Sequence, residues 1–315
     1  MHIDPRSLIQ LAEIVEQQSF SLAAKNLGTT QPALSKAVAM LEKRLGTELL
    51  AQRRRPVIPT ELGRQLAESG QLIRAALANA ARLAADKASG AAGHLRIGAP
   101  PFICDSLFPQ IVTSFRKQYP GVSFDITPAY STEMRYLVQQ NRIDIAFGPI
   151  HLSQDRFNLA TSGLVMLSHA IVCRAGHPLL GLDRVAVRDL EQAEWVSHAK
   201  ESTLHTVMRD CLSSAHVTQI RPVVSSGASG AILSLLHDTD SLTVLPIFSV
   251  VEQLERGELR LLPFDAPTVD IMLGAITHRT LEHDPLIGRF RQHVSTHIGD
   301  MEARARQIHA RLMLA

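Results

Sequence analysis

Residues 19–55 read SFSLAAKNLGTTQPALSKAVAMLEKRLGTELLAQRRR, and this stretch decides how the amino-terminal end folds. Phe20, Ala23, Ala24 and Leu27 recur at the three-to-four-residue spacing of an amphipathic helix. Gly28 follows where a helix closes in a left-handed residue, a conformation glycine adopts at little steric cost. Thr30 is placed to cap a second helix, and Pro32 near its start forfeits no hydrogen bond. Leu34, Val38, Leu41 and Leu45 give that helix one apolar face and leave Gln31, Ser35 and Lys36 on its outer, amino-terminal side. Ala24 is small at the point where two steeply crossing helices must touch. The pattern is a helix-turn-helix.

Chemistry follows from that geometry. A recognition helix inserts its amino-terminal residues into the major groove, where Gln pairs with adenine through two hydrogen bonds. Ser and Lys suit phosphate or base edges. The expected DNA-facing set is therefore Ser21, Thr29, Thr30, Gln31, Ala33, Ser35 and Lys36. From Lys25 to Arg55 there are seven Lys or Arg against two Glu, and Arg53, Arg54 and Arg55 cluster where a β-wing would follow the backbone. Phosphate contacts of this kind supply salt-dependent affinity.

With these residues in place, the segment resembles the DNA-binding signature of LysR-type transcriptional regulators. The matching features include Ser19-Phe20, Ala23-Ala24, Gln31-Pro32-Ala33-Leu34-Ser35, Leu41-Glu42, Leu45-Gly46, Arg53 and Thr60-Glu61-Leu62-Gly63. Leu50-Ala51 departs from the pattern, because the family usually carries phenylalanine after the leucine. That change bears on wing packing more than on DNA contact.

The chain has 315 residues, long for one domain, and its 45% hydrophobic content is ample for buried cores. The net charge of +2 hides an asymmetry: residues 1–88 hold 12 Lys+Arg against 8 Asp+Glu, and the remainder holds 20 against 22. Positive charge belongs to the nucleic-acid end. Residues 1–17 form an acidic amphipathic helix rather than a signal sequence, and no run approaches a membrane span. Three widely separated cysteines do not make a disulfide framework. The expected location is the cytoplasm, with no membrane partner.

Residues 60–88 read as one long linker helix whose Leu62, Leu66, Ile73, Leu77, Ala80 and Ala84 approximate a heptad seam. Dimerisation is favoured over a helix lying on its own domain, and Gly70 lowers the helix propensity. Residues 89–93 are small and flexible, a hinge. Beyond them strands and helices alternate, the mark of an α/β domain with ligand sites at the strand carboxyl ends.

This order resembles the family's effector domain, two-lobed and similar to periplasmic solute-binding proteins. The expected fold is thus α/β. It comprises a winged helix-turn-helix at 1–60, the linker helix at 60–88 and an effector-binding domain at 94–298. Lobe one is placed at 94–161 and 268–298, with a helix at 106–119, and lobe two at 162–267. Residues 299–315 read as an extra amphipathic tail. The resemblance places the ligand between the lobes, which carries onto Pro100, Pro101, Phe102, Tyr130, Ser131, Thr132, Phe147, Gly148, His198, Ser202 and Thr203. Hydroxyls and helix amino termini there suit a small organic anion, His198 adds a charge-assisted contact, and the aromatic rings wall an apolar body. No cofactor is expected. The implied partners are double-stranded operator DNA, the effector, a second copy of the chain in a homodimer or homotetramer, and RNA polymerase for an activator. Lobe closure would be coupled to DNA binding.

Other classes fare worse. An enzyme would need a constellation, and there is no GxSxG elbow, phosphate-binding Gly-Lys-Ser/Thr loop or GxGxxG after a strand. Among 14 histidines, His293 and His297 lie four apart on one helix, but no cysteine or clustered carboxylate completes a metal set, so they read as surface groups. A thiol-responsive regulator is the main alternative within the family, although residues 198–204 hold no cysteine and Cys211 has no resolving partner nearby in sequence. A purely architectural DNA-binding protein would not need two hundred residues of paired lobes.

Overall fold

The computed structural model describes residues 3–89, 93–150, 159–264 and 271–313. The chain divides into two units, Met1–Gly90 and Ala91–Ala315. In the first, Asp4 caps α1 (Pro5–Gln17) by accepting from the Arg6 amide at 3.0 Å. Leu11, Ala12 and Ile14 of α1 are fully buried against Ala23 and Ala24 of α2 (Phe20–Asn26) and Leu34, Val38 and Leu41 of α3 (Gln31–Leu45). Gly28 takes the expected left-handed φ of 62° between the two short helices, and Thr30 caps α3 by accepting from the Ala33 amide. Strands β1 (Leu50–Gln52) and β2 (Ile58–Pro59) pair antiparallel as the wing.

Helix α4 (Glu61–Ser89) is the long helix the sequence predicts, capped by the Thr60 hydroxyl, but its seam divides. Leu66 and Ile73 pack on the unit's own core, and Ala67 and Ala75 are buried. Leu62, Leu77, Ala80 and Ala84 stay exposed. Gly70 is a close-approach residue: a Cβ there would lie 2.1 Å from the Leu8 carbonyl oxygen. Arg74 secures the contact through Glu13 and Glu16 of α1, each at 2.7 Å. The amino-terminal half of α4 therefore lies on its own domain, the reading the sequence had disfavoured. The hinge at 89–93 falls mainly outside the described residues.

The second unit contains two five-stranded sheets. The first runs β4 (Val122–Pro128), β3 (Gly93–Ala99), β5 (Ile145–Pro149), β12 (Ile271–His278), β6 (Leu159–Leu167). The second runs β11 (Leu259–Leu261), β7 (His169–Arg174), β10 (Ser241–Pro246), β8 (Glu194–His198), β9 (Arg221–Ser226). Strands β3, β4 and β5 are parallel, as the alternating pattern implies. The boundary expected at 162 is wrong, because β6 pairs with β12 over its whole length, and the chain passes to lobe two at Ser168. Extended alternation continues through that crossing, so periodicity carries no signal of it.

The helix expected at 106–119 is α6 (Phe108–Gln118), and a short helix the sequence reading did not expect, α5 (Pro101–Ser106), precedes it and joins it at Leu107. Pro101 sits in the first turn of α5, where a missing N–H is harmless. Two helices follow the parallel strands of the lobes and point toward the crevice between them, α7 (Ser131–Gln139) and α9 (Thr203–Ser214). Helix α8 (Val187–Gln192) precedes β8, and α10 (Ser229–Asp238) and α11 (Val251–Arg256) complete lobe two. One apolar cluster runs through both lobes, from Phe108, Phe115, Phe147 and Phe290 to Leu236, Leu245 and Phe248.

Residues 299–313 are not a separate tail. They continue α12 (Pro285–Met313) past lobe one onto lobe two. Glu302 is buried and accepts from the Ser168 amide and hydroxyl at 3.1 and 2.7 Å, Arg304 pairs with Glu255 at 2.6 Å, and Ala305 is fully buried.

Candidate functional site

The surface expected to read DNA lies at the amino terminus of α3. Gln31, Ala33 and Lys36 are exposed there, with Ser21 and Thr30 beside them and Thr29 and Ser35 half-buried. Gln31 donates its side-chain amide to the Ser35 hydroxyl at 3.2 Å, which holds the glutamine along the helix face. The three wing arginines separate into two kinds. Arg53 is ion-paired with the buried Glu42, which also accepts from the Leu49 amide at 2.9 Å. It fastens the wing to α3. Arg54 and Arg55 are exposed at the wing tip, whose loop is held by the Gln52 amide donating to the Arg54 and Pro56 carbonyls at 3.3 and 2.8 Å.

Between the lobes, Ser131 and Thr203 begin α7 and α9 and their hydroxyl oxygens are 3.4 Å apart. Two helix amino termini thus face one another, and no side chain caps α7. Convergent positive dipole ends favour a negative charge placed between them. Beneath this point is a cavity of about 40 Å³, lined almost wholly by apolar groups: Pro100, Phe102, Ile103, Pro149, Leu167, Leu204, Val207, Pro246, Phe248, Ile271 and Leu273, with His169, Ser202 and Thr203. It is continuous at Pro149, Ser202, Thr203 and Ile271 with a wider cleft of about 500 Å³ that adds Ser131, Arg135, Lys200, Glu201, Thr206 and Asp210. The smaller space holds roughly two or three waters, so it suits a compact apolar group.

Expected site residues fall on both sides of this outline. Pro100, Phe102, Ser131, Ser202 and Thr203 line it. Tyr130 stands at its edge, reaching the Gly227 carbonyl across the lobes at 3.5 Å. Pro101 and Thr132 turn away from the lining, one in the first turn of α5 and the other exposed on α7. Phe147 is not a wall but core, fully buried and edge-on to Phe108 at 5.8 Å. Gly148 lies behind Pro100, where a Cβ would come within 2.8 Å of Met134. His198 makes no charged contact. It is 1% exposed and donates Nε2–H to the Val244 carbonyl at 2.9 Å, and burial pushes it down to about 4, so the ring is neutral.

Residues 88–299 match the model of the LysR substrate binding domain, and residues 5–64 match that of the bacterial regulatory helix-turn-helix protein, lysR family. The chain belongs to the LysR family of transcriptional regulators. It is 28% identical over 280 residues to the HTH-type transcriptional regulator GalR of Pseudomonas putida, covering 85% of this chain and 68% of that one. ArgP of Mycobacterium tuberculosis has a similar fold, with a TM-score of 0.66 at 18% identity over 96% of this chain and 98% of its own. A full-length OxyR of Pseudomonas aeruginosa superposes with a TM-score of 0.62 at 20% identity, over 93% and 95%.

As a LysR-type protein the chain is a regulator and not an enzyme, built from a helix-turn-helix and a two-lobed α/β effector domain. Among the described residues no helix is long and apolar enough to cross a membrane. Its thiols are poorly placed for peroxide chemistry. Cys104, Cys173 and Cys211 are all free and buried. Desolvation pushes Cys104 and Cys173 up to about 12 and raises Cys211, whereas a reactive cysteine needs an accessible thiolate.

Lys200, within the expected stretch 198–203, lines the cleft, while the sequence reading missed Arg135, Leu167, His169, Pro246 and Phe248. Arg135 lies one turn after Ser131, so proximity to that helix start was a usable signal. Leu167, His169, Pro246 and Phe248 flank the strand ends at the crossing between lobes. They became findable only with the crossing placed.

Proposed function

We propose that this LysR-type regulator is controlled by a small carboxylate with a compact apolar body, bound between the lobes. The observation that carries this reading is the meeting of the α7 and α9 amino termini directly over an apolar cavity. A carboxylate there would accept from free first-turn amides and from the Ser131, Ser202 and Thr203 hydroxyls. Arg135 and Lys200 in the wider cleft add positive potential, partly offset by Glu201 and Asp210. The apolar portion would enter the space beneath, between Phe102, Val207 and Phe248. Such a ligand controls the protein only insofar as it prefers one arrangement of the lobes.

On DNA, Gln31 and Ser35 are the base readers, and Lys36, Arg54 and Arg55 the phosphate contacts. Exposed Leu77, Ala80 and Ala84 on α4 suit a second copy of the helix, and a dimer would present two recognition helices to a two-half-site operator in the cytoplasm. For an activator, RNA polymerase is the further partner.

The deciding experiment is a thermal-shift screen of the full chain against aliphatic and aromatic carboxylic acids, with their amides and alcohols as controls. A ligand that binds the native state raises the melting temperature saturably. Acids should stabilise, their neutral analogues should not, and Thr203→Val with Ser131→Ala should abolish the shift. Equal stabilisation by acid and amide would remove the anion from the proposal.

A further inference from the structure

On the face of lobe one where α6 packs against α12, two imidazoles point at one oxygen. His293 Nε2 lies 2.8 Å and His297 Nε2 3.1 Å from the Ser114 hydroxyl, and the ring centroids are 4.4 Å apart. All three side chains are half-buried, so the sequence reading of solvated surface histidines does not hold. We infer that His293, His297 and Ser114 form a binding site for one zinc-class divalent ion.

Three features support it. A spacing of four residues puts both imidazoles on the same helical face one turn apart, the arrangement by which helices present paired zinc ligands. His297 already holds the tautomer that a ligand needs. Its Nδ1–H donates to the His293 carbonyl at 3.1 Å, which leaves the Nε2 lone pair directed at the shared point. Metal-bound histidines are held in this way by a carbonyl behind the ring. His293 is packed edge-on against Phe115 at 5.3 Å, which fixes the plane of its ring beside His297.

Without metal, the Ser114 hydroxyl lies 3.0 Å from the Ile111 carbonyl and 3.1 Å from His297 Nε2, two acceptors for its one proton, and its oxygen is placed to accept from His293 Nε2–H at 2.8 Å. When a zinc ion takes both Nε2 lone pairs, the His293 proton moves to Nδ1 and the Ser114 proton turns to the Ile111 carbonyl, 3.0 Å away. No proton need leave the protein. The hydroxyl oxygen then faces the ion, and water fills the remaining positions of an open tetrahedral site. Among the described residues no group of three His, Cys, Asp or Glu is placed to hold a metal, and this site offers two imidazoles and one hydroxyl. Imidazole selects zinc, copper and nickel over magnesium and calcium. A bound ion would pin α6 to α12.

The test is a titration of the untagged full chain with zinc chloride, followed by calorimetry, with magnesium chloride as control. One equivalent should bind, magnesium should not compete, and His293→Gln or His297→Gln should weaken binding at least tenfold. Ser114→Ala should weaken it by less. A second measurement needs no substitution: zinc should protect His293 and His297 from acylation by diethylpyrocarbonate, read by peptide mapping of the wild-type chain. Zinc affinity that survives both histidine substitutions, absent wild-type binding at micromolar zinc, or unprotected histidines would each overturn the assignment.

Discussion

The Ser131 and Thr203 hydroxyl oxygens lie 3.4 Å apart although each opens a helix belonging to a different lobe. Like ends of two dipoles are thereby brought together, an arrangement that costs energy until a negative charge occupies it. Thr203→Asp would place a fixed carboxylate in the first turn of α9. We expect it to raise stability at pH 7 by about 0.5–1 kcal/mol, the worth of an acid at a helix start. It should also abolish stabilisation by added carboxylates. A melting temperature that falls in Thr203→Asp while carboxylate binding persists would place the anion elsewhere.

Burial depresses the His198 ring from 6.5 to about 4 in the folded protein. The unfolded chain therefore takes up this proton first as pH falls. Stability from the neutral ring is fully present above pH 6.5 and declines between 6.5 and 4, by a total of about 3 kcal/mol. His177, His278 and His293 are depressed by the same desolvation and steepen the decline. Urea unfolding of wild type and His198→Gln at pH 7.5 and 4.5 isolates the contribution. The variant should lose less stability on acidification. Equal losses would mean that His198 takes up its proton without cost.

Arg53 and Arg54 are neighbours with different work. Arg54→Ala should weaken binding to any duplex and reduce the slope of log affinity against log salt by about 0.9, one phosphate contact. Arg53→Ala should instead lower the melting temperature, because it strips the buried Glu42 of its ion pair. Arg53 is itself 45% exposed, and solvent screening keeps the expected loss near 1 kcal/mol. Salt titrations with non-operator DNA, paired with thermal melts, separate the two. A full unit of salt slope lost in Arg53→Ala without destabilisation would reverse the assignment.

What the sequence disclosed depended on range. The reading head was legible because Gly28, Thr30, Pro32 and the apolar positions of α3 act within a few residues of one another. Gly70 was misread for the opposite reason. Its partner is the Leu8 carbonyl, 62 residues away, and in isolation a helical glycine signals only poor propensity. His198 was misread similarly: its role is set by Val244 on a neighbouring strand. Phe147 and Phe102 look alike in sequence, and only the packing of Phe108 and Phe290 on Phe147 sends one to the core and the other to the cleft.

Gly70→Ala puts two effects in competition. Alanine gains about 1 kcal/mol of helix propensity, while its Cβ would lie 2.1 Å from the Leu8 carbonyl oxygen. Backbone cannot yield as a flexible side chain does, so α1 must shift off α4 and strain Arg74 against Glu13 and Glu16. We expect a net loss of about 1–3 kcal/mol, as for other overpacked sites. Chemical denaturation would measure it. A stabilised variant would show that propensity outweighs the clash.

The family's domain model ends at residue 299, yet α12 continues to Met313 and the added turns grip lobe two. Glu302 receives the Ser168 amide and hydroxyl at the very crossing from β6 to β7, and Arg306 of the same helix returns to Glu302 and to the Met166 carbonyl. Arg304 pairs with Glu255 of α11. The extension therefore splints the lobes at one crossing, where a change in lobe angle must pass. A chain ending at Gly299 would expose the apolar surface under Ala305 and Ile308 and leave Ser168 without its carboxylate. We expect a loss of about 2–4 kcal/mol from exposed area and lost charged hydrogen bonds. Glu302→Ala should reproduce part of it, and hydrogen exchange should rise at Ser168 and the adjoining ends of β6 and β7. A truncated chain that melts with wild type and exchanges no faster at Ser168 would show the extension to be passive.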